Sequence, residues 1–522
     1  MSAAFFNKLW LKRQGKFADE YRRNIENCSS VQNEKLKTYL SANAQTEFGK
    51  KHNFEVIKSY EDFIQAVPVL EDYGDLKPWI DSIVTGKSNV LFPGKPLFFE
   101  TTSGTSSASK LIPYNKALKA ELSTAVAVWM RDLYQMNPLI FSGKSYWSLS
   151  PAMKEKGQTE GGIPIGTQND SEYFDPISSF FLSRIFAVPG NLSKITDPHE
   201  FYVHTWSYLL TCKKLTFTSV WSPQFLIRLL DFFRENLKQI CFESGVTGRW
   251  ADFIQGKIDE DDFSLELILP DLRLISCWTQ GQSKIWLQKL KNLSGNIPIQ
   301  GKGLMSTEGV VSVPIGMDQH ALAFTSHFYE FRDKNLNVFT ATELIKDEDY
   351  EVIITTSGGL YRYNTRDRVR CTGFHHSVPC LEFIGRSGHN SDLVGEKLHE
   401  NMLYDVFTET VAKYSLLESL YLYPVIQENQ AVYYLIVESD TESHSIEICE
   451  FVERALCKNP YYQQAVNSGQ LLRLRIKRVD KGFTKSLTEF YQRDKQIKDG
   501  DLKLPCLFPP NYLDQLLQIH NK

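Results

Sequence analysis

Between Pro96 and Pro138 the chain reads as strand, polar loop and helix, and that order constrains what can be built around it. Pro96-Leu97-Phe98-Phe99-Glu100 is apolar and aromatic, the composition of a buried strand. The run Thr101-Thr102-Ser103-Gly104-Thr105-Ser106-Ser107-Ala108-Ser109-Lys110 follows, and then Leu111-Ile112-Pro113. Beyond it Leu118, Leu122, Ala125, Trp129, Leu133 and Met136 recur at three- and four-residue steps, one apolar stripe of a helix that Pro138 stops. A polyphosphate is well served by this order: hydroxyls and backbone N–H groups donate to its oxygens, a lysine adds charge, and the helix presents its positive end. The loop is not a Walker A loop, because no Gly-Lys-Ser/Thr follows Gly104 at the required distance. It is not a dinucleotide fingerprint either, because the second and third glycines are missing. Taken alone, it reads equally as a Ser/Thr-rich surface turn.

The chain has 522 residues, enough for about three ordinary domains or one large and one small. With 42% hydrophobic and 13% aromatic residues it can bury a large core. A formal charge of −4 with interspersed signs gives no basic stripe for nucleic acid. No apolar run approaches the roughly 18 residues that span a bilayer, so integral membrane association is not expected. Residues 1–16 read as an amphipathic first helix, not a signal peptide, which leaves attachment to a membrane surface open. The nine cysteines lack Cys-x-x-Cys spacing and fit reduced thiols in a cytoplasmic protein. His375-His376 has no third ligand at metal-binding spacing and reads as structural.

No internal repeat or low-complexity segment is evident. Short apolar runs alternate with amphipathic ones: Leu215 to Val220 before a helix from about Pro223 to Leu237, and Leu272 to Trp278 before one from about Ser283 to Leu293. This alternation predicts an α/β layered architecture. After Leu381 the pattern changes. Leu420 to Ile426 and Ala431 to Glu438 flank a polar turn, a helix covers Ser445 to Cys457, and Leu472 to Ile476 alternates as a strand, the order of a small α+β domain. The boundary falls near Gly385 to Asn390, dividing residues 1–385 from 386–522.

Three further segments carry possible chemistry. Gly303-Leu304-Met305-Ser306-Thr307-Glu308-Gly309 follows the strand-like Ile297 to Gln300 and places a carboxylate in a turn, where it could hold Mg²⁺ or simply sit in a helix cap. Gly358 to Val369 reads as strand–turn–strand with Asp367 at the bend, either a partner for ribose hydroxyls or an ordinary turn aspartate. Gly500-Asp501-Leu502-Lys503-Leu504-Pro505 puts one lysine in a short loop, otherwise solvent-exposed.

In this order and spacing the motifs resemble those of the acyl-acid amido synthetases of the Gretchen Hagen (auxin-responsive-promoter) family, in the adenylate-forming superfamily. The resemblance covers nearly the whole chain. It rests on Ser103 to Pro113, Thr307-Glu308-Gly309, and Gly359 to Tyr363 with Asp367 and Thr372 to His375. It rests also on Phe383-Ile384-Gly385-Arg386 with Val394-Gly395-Glu396-Lys397-Leu398-x-Glu400, and on Lys503-Leu504-Pro505. The length resembles bacterial-type members more than plant ones. The implied fold is a large N-terminal body of layered α/β sheets with a small β-barrel-like part, and a smaller, mobile α+β C-terminal lid.

The resemblance also implies an activity: a carboxylic acid is adenylated with ATP and Mg²⁺, then transferred to an amine such as an amino acid. Ser103, Gly104, Thr105 and Ser106 would hold phosphates with Lys110 nearby. Thr307 would lie at the α-phosphate, Glu308 at Mg²⁺ and Asp367 at the ribose. Phe383 would pack near the nucleotide, Arg386 would act at the hinge, Lys397 would approach from the lid, and Lys503 would meet the α-phosphate. Trp278 and Met305 are acyl-pocket candidates or ordinary core. A monomer acting on small molecules is expected. The chain departs from the family pattern at Ser107, Asn364, Arg366 and Cys506; an arginine at 366 would be strained if its φ is positive. Two alternatives stay open, a thiol acceptor (coenzyme A or a carrier protein) and a catalytically silent nucleotide-binding homologue.

Overall fold

Asn115 starts the helix Lys116–Met136 by accepting a hydrogen bond from Leu118 N (2.8 Å), the cap that the polar residue before the apolar stripe leads one to expect. Leu118, Ala125, Trp129 and Leu133 of that stripe are buried, whereas Leu122 is half-buried and Met136, at the helix end, is exposed. In this computed structural model the described residues are 2–101, 110–148, 157–166, 176–246, 248–387, 390–414, 417, 419–427, 430–439, 444–495, 497 and 499–520. Ser103, Gly104, Thr105, Ser106 and Ser107 of the hydroxyl loop lie outside them.

The strands that flank this loop, β1 (Phe98–Thr101) and β2 (Leu111–Tyr114), pair antiparallel from Phe98↔Tyr114 to Thr101↔Leu111. A parallel sheet follows in the order β3 (Lys144–Trp147), β4 (Leu215–Ser219), β5 (Leu274–Cys277) and β6 (Ile299–Gly301). All five residues of β4 are buried, the signature of a strand covered on both faces. Helices Pro198–Thr211, Pro223–Glu235 and Lys284–Ser294 occupy the crossovers that parallel pairing requires.

A seven-stranded sheet comes next. It contains β7 (Ser312–Ile315), β8 (Gln319–Leu322), β9 (Phe328–Arg332), β10 (Val338–Thr340), β11 (Asp349–Thr355), β12 (Tyr363–His375) and β13 (Val378–Arg386). Their spatial order is β10-β9-β11-β12-β13-β8-β7, with β10 and β7 at opposite edges. The barrel-like part expected from the resemblance is therefore an open sheet, and no closed barrel forms among the described residues. The expected strand–turn–strand over Gly358 to Val369 is also different. Tyr363 onward is one strand, and the pairing of β11 with β12 shifts between Glu351↔Arg368 and Ile353↔Asn364, so Thr365 to Asp367 form a bulge.

Contacts divide the chain into two units. One comprises Met1–Thr279, Leu290–Phe383 and Lys498–Asp501; the other comprises Gln280–Lys289, Ile384–Ile497 and Leu502–Lys522. Composition along the chain does not mark either of the two short exchanged segments.

The second unit holds a short pair, β14 (Asn390–Ser391) and β15 (Leu398–His399), and a sheet of β16 (Ser419–Gln427), β17 (Gln430–Glu438) and β18 (Arg475–Val479). Side chains alternate across this sheet. Leu420, Leu422, Leu435 and Val437 enter one core with the helices Glu400–Lys413 and Ser445–Leu456, while Tyr421, Tyr423 and Ile436 enter another with the helix Phe483–Lys495. The expected strand at Leu472 to Ile476 begins later, at Arg475. Leu471 makes an isolated bridge to Ala431 and is buried, and regular pairing with β17 resumes only at Tyr434↔Arg475. No helix among the described residues is long and apolar enough to cross a membrane.

One buried ion pair ties helical and sheet segments of the first unit together. Arg362 Nε donates to both oxygens of Glu330 (3.0 Å each) and its Nη1 to Val67 O (2.8 Å), while Tyr60 OH donates to Glu330 Oε1 (2.8 Å). Both charges are buried, so removing one partner strands the other. Arg362→Met is expected to cost about 3–5 kcal/mol of stability in urea unfolding; a transition at the wild-type midpoint would contradict the role given to this pair.

Candidate active site

The turn that carries Glu308 is held from two sides. Met305 and Val310 form an antiparallel bridge, and Ser306 N donates to Gly309 O (2.9 Å), which closes the turn. Tyr114, the last residue of β2, donates its hydroxyl to Thr307 O (2.7 Å). On the other side Val310 N donates to His327 Nε2 (3.1 Å), which fixes the ring proton on Nδ1, and Nδ1 then donates to Glu121 Oε2 (2.9 Å). The second oxygen of Glu121 accepts from Tyr39 OH (2.6 Å), and Ser357 N also reaches the carboxylate (3.3 Å). Burial alone would raise the Glu121 carboxyl. Its contacts with His327, Lys35 and Tyr39 outweigh burial and hold it below the ordinary range.

Glu308 itself is 4% exposed, and no hydrogen-bond donor reaches its carboxylate among the described residues. A cation beside such a carboxylate would offset the cost of burying its charge. Glu100 on β1 is a second buried carboxylate here. Burial first, then the charges of Glu100 and Glu308, push the Tyr114 phenol well above its ordinary value. This donor set suits Mg²⁺, which binds through one or two carboxylates and completes its shell with water and phosphate oxygens. Among the described residues no group of three or more His, Cys, Asp or Glu side chains could enclose a metal by itself.

Lys110, the first described residue after the loop, points its ammonium toward Tyr363 OH (3.4 Å) and lies 5.8 Å from the Tyr73 ring centroid. Tyr363 opens β12, and Asp367 lies four residues on, in the bulge and 4% exposed. The bulge explains why. Arg366 takes φ +62°, a left-handed conformation that re-aims the residues beside it, and its N–H is held by Asn364 Oδ1 (2.8 Å). Phe383, half-buried in β13, is the last residue of the first unit in this stretch. Within the first unit, then, hydrogen bonds join Lys110 to the strand of Asp367 and the hairpin of Lys110 to the turn of Thr307 and Glu308.

Arg386, Lys397 and Lys503 belong to the second unit, and all three are exposed. Lys397 has φ +48°, its carbonyl accepts from Asn459 Nδ2 (3.1 Å), and its ammonium lies 4.8 Å from the Tyr461 ring centroid. Lys503 stands between the buried Leu502 and Leu504.

The acyl-pocket candidates separate. Met305 is part of the first unit's hydrophobic core. Trp278 is half-buried and faces Trp221 at 5.4 Å. It belongs to a wall that sequence reasoning missed: Trp147 ends β3, Trp221 follows β4, Trp278 follows β5 and Lys302 follows β6, all at the carboxyl ends of the parallel strands. Lys302 is buried, with its ammonium 4.0 Å from the Trp221 ring centroid and 5.7 Å from that of Trp129. A tryptophan at or within two residues of the end of three of the four strands was the available signal, since open α/β sheets bind ligands at that edge.

This α/β architecture is shared with 2-hydroxyisobutyryl-CoA ligase, which aligns with a TM-score of 0.54 at 13% identity, over 94% of this chain and 90% of that one. The match is much fuller to the AtGH3.15 acyl acid amido synthetase in complex with 2,4-DB, at a TM-score of 0.86 and 21% identity over 98% and 96% of the two chains. The GH3 family N-terminal domain matches residues 18–244, the central domain 320–386 and the C-terminal domain 401–511. The chain belongs to the GH3 family. Among curated relatives, indole-3-acetic acid-amido synthetase GH3.2 of Arabidopsis thaliana is 24% identical, covering 74% of this chain and 78% of its own length. The 4-substituted benzoates-glutamate ligase GH3.12 of the same plant is 21% identical over 91% and 92%.

The turn has no room for a side chain at Gly309, where a Cβ would meet His327 Nε2 at 2.8 Å and Cδ2 at 3.1 Å. Gly309→Ala is expected to cost about 1–3 kcal/mol through overpacking against that buried ring. Chemical denaturation measures it, and an unchanged midpoint would show that the turn is not packed this way.

Proposed function

We propose that this protein is an ATP-dependent acyl-acid amido synthetase, which activates a carboxylic acid as its adenylate and passes the acyl group to an amine, such as an amino acid. The reading is carried by the buried Glu308 carboxylate, in a turn braced by Tyr114 and His327, in a chain of the GH3 family.

In the first step the acid's carboxylate oxygen attacks the α-phosphorus of ATP, the bond to the bridging oxygen breaks, and pyrophosphate leaves. In the second the amine nitrogen attacks the acyl carbon, the bond to AMP breaks, and the amine's proton passes to water. A free carboxylate would have to expel oxide; the adenylate expels AMP instead. Charge builds on phosphate oxygens in the first step, so fixed donors and cations there lower the barrier most. Mg²⁺ supplies Lewis-acid stabilisation of those oxygens when bound, and Glu308 is the residue that holds it.

Ser103, Gly104, Thr105 and Ser106 bind the phosphates, with Lys110 adding charge at the loop's end. Thr307 contacts the α-phosphate region, Asp367 accepts from the ribose hydroxyls, and Phe383 packs by the nucleotide. Residues 386–522 act as a mobile lid, with Arg386 at the hinge, Lys397 approaching the nucleotide and Lys503 meeting the α-phosphate during adenylation. The acid lies along Trp221 and Trp278, a flat apolar wall suited to an apolar or aromatic body. The nine free cysteines support a reducing, cytoplasmic setting.

Acid-dependent exchange of labelled pyrophosphate into ATP tests the reading, using a broad panel of acids. Lys503→Ala and Glu308→Gln should each slow exchange by about 10²–10³, as loss of one preorganised electrostatic group does, and Lys503→Ala should leave ATP binding nearly intact. No exchange with any acid while ATP still binds would overturn the enzymatic assignment. Product formed with coenzyme A but with no amine would overturn the choice of acceptor.

A further inference from the structure

A cleft of about 480 Å³ opens between the helix Cys28–Asn43, residues 92–97 and the first turns of the helix Lys116–Met136. It sits at the end of the β1–β2 hairpin opposite the Thr101↔Leu111 pair, where Leu97 N donates to Tyr114 O (2.7 Å). Four-residue strands put about 13 Å between the two ends. The cleft therefore lies at the opposite end of the hairpin from Thr101 and Leu111, and none of Trp147, Trp221, Trp278 and Lys302 lines it.

Its lining is apolar with a cationic excess. Phe92 and Leu97 contribute apolar surface, and Lys35, Lys95 and Lys116 contribute three ammonium groups, none in a salt bridge among the described residues. Burial holds Lys35 below the ordinary lysine value, although Glu121 and Glu20 pull it upward, as expected of a cation short of negative charge. The carboxylate at the floor, Glu121, is already engaged by Tyr39, His327 and Ser357 N. The Ser357 hydroxyl, on the same wall and buried, has no hydrogen-bond partner among the described residues. The positive end of the 21-residue helix Lys116–Met136 also faces the cleft.

We propose that this cleft binds a small amphipathic organic anion, at a site distinct from those for ATP and the acyl group. The apolar body lies on Phe92 and Leu97, and a carboxylate, sulfonate or phosphate head meets the lysines and the helix end. The occupant lies against Glu121, one histidine away from the Ser306–Gly309 turn.

The probe is 8-anilinonaphthalene-1-sulfonate, titrated by fluorescence into the full chain without turnover, so the outcome is independent of the enzymatic assignment. Saturable binding at one site is expected, displaced by octanoate and unaffected by ATP. Lys95→Glu/Lys116→Glu, at two exposed positions, should raise Kd by at least about tenfold, and Lys95→Arg/Lys116→Arg should leave it within about twofold. Ala117→Trp, which fills the mouth from an exposed position, should abolish binding with the melting temperature kept. An unchanged Kd in the charge-reversed variant, or displacement of the probe by ATP, would overturn the proposal.

Discussion

The Glu121 carboxylate is the contact on which the first unit's site depends. Burying it is costly unless each oxygen is engaged. Here Tyr39 takes one oxygen, and His327 and the Ser357 N–H take the other. Those partners come from the helix Cys28–Asn43, from the residue just before β9, and from the turn after β11. The carboxylate thus satisfies itself only when three distant stretches of chain have converged. Once they have, His327 must present Nε2 as an acceptor, and it receives the N–H of Val310, two residues beyond Glu308. The position of the Glu308 turn is thus set by a hydrogen-bond network centred on a different carboxylate.

This network was illegible in the sequence for a physical reason. Glu121 stands in Lys-Ala-Leu-Lys-Ala-Glu-Leu-Ser, where a glutamate reads as the solvated face of a helix, and its partner His327 is 206 residues away. What is local was legible. The helix Lys116–Met136, the hairpin β16–β17 and the strands β4, β5 and β6 of the parallel sheet follow from local composition and periodicity, while β3 gave no such signal. What depends on long-range pairing was not. At the bulge three residues of β12, Thr365 to Asp367, stand opposite Val352 alone, and β18 begins at Arg475, where its pairing with β17 begins. The tryptophans that follow three parallel strands had a readable spacing, but only the sheet order shows that they share one edge.

The departures from the family pattern have separate structural accounts. Arg366 sits at positive φ, which glycine adopts without strain. Asn364 offsets part of this by accepting the Arg366 N–H, and its Nδ2 donates to Glu351 (3.2 Å), the carboxylate that also pairs with Arg332. The two substitutions therefore act as one local unit. Cys506 is fully enclosed, and burial together with Glu400 raises its thiol well above the usual value, so it stays protonated and serves packing, not nucleophilic chemistry.

Glu400 extends that argument to the lysine assigned to the α-phosphate. Its Oε1 accepts from Cys506 N (2.6 Å), while Leu422 N donates to Cys506 O (2.7 Å) and Phe508 N donates to Leu422 O (3.0 Å). The chain just beyond Lys503 is therefore stapled to the edge of β16, and Leu502 and Leu504 are buried on either side of the lysine. A backbone pinned this closely gives Lys503 little freedom except in its own side chain.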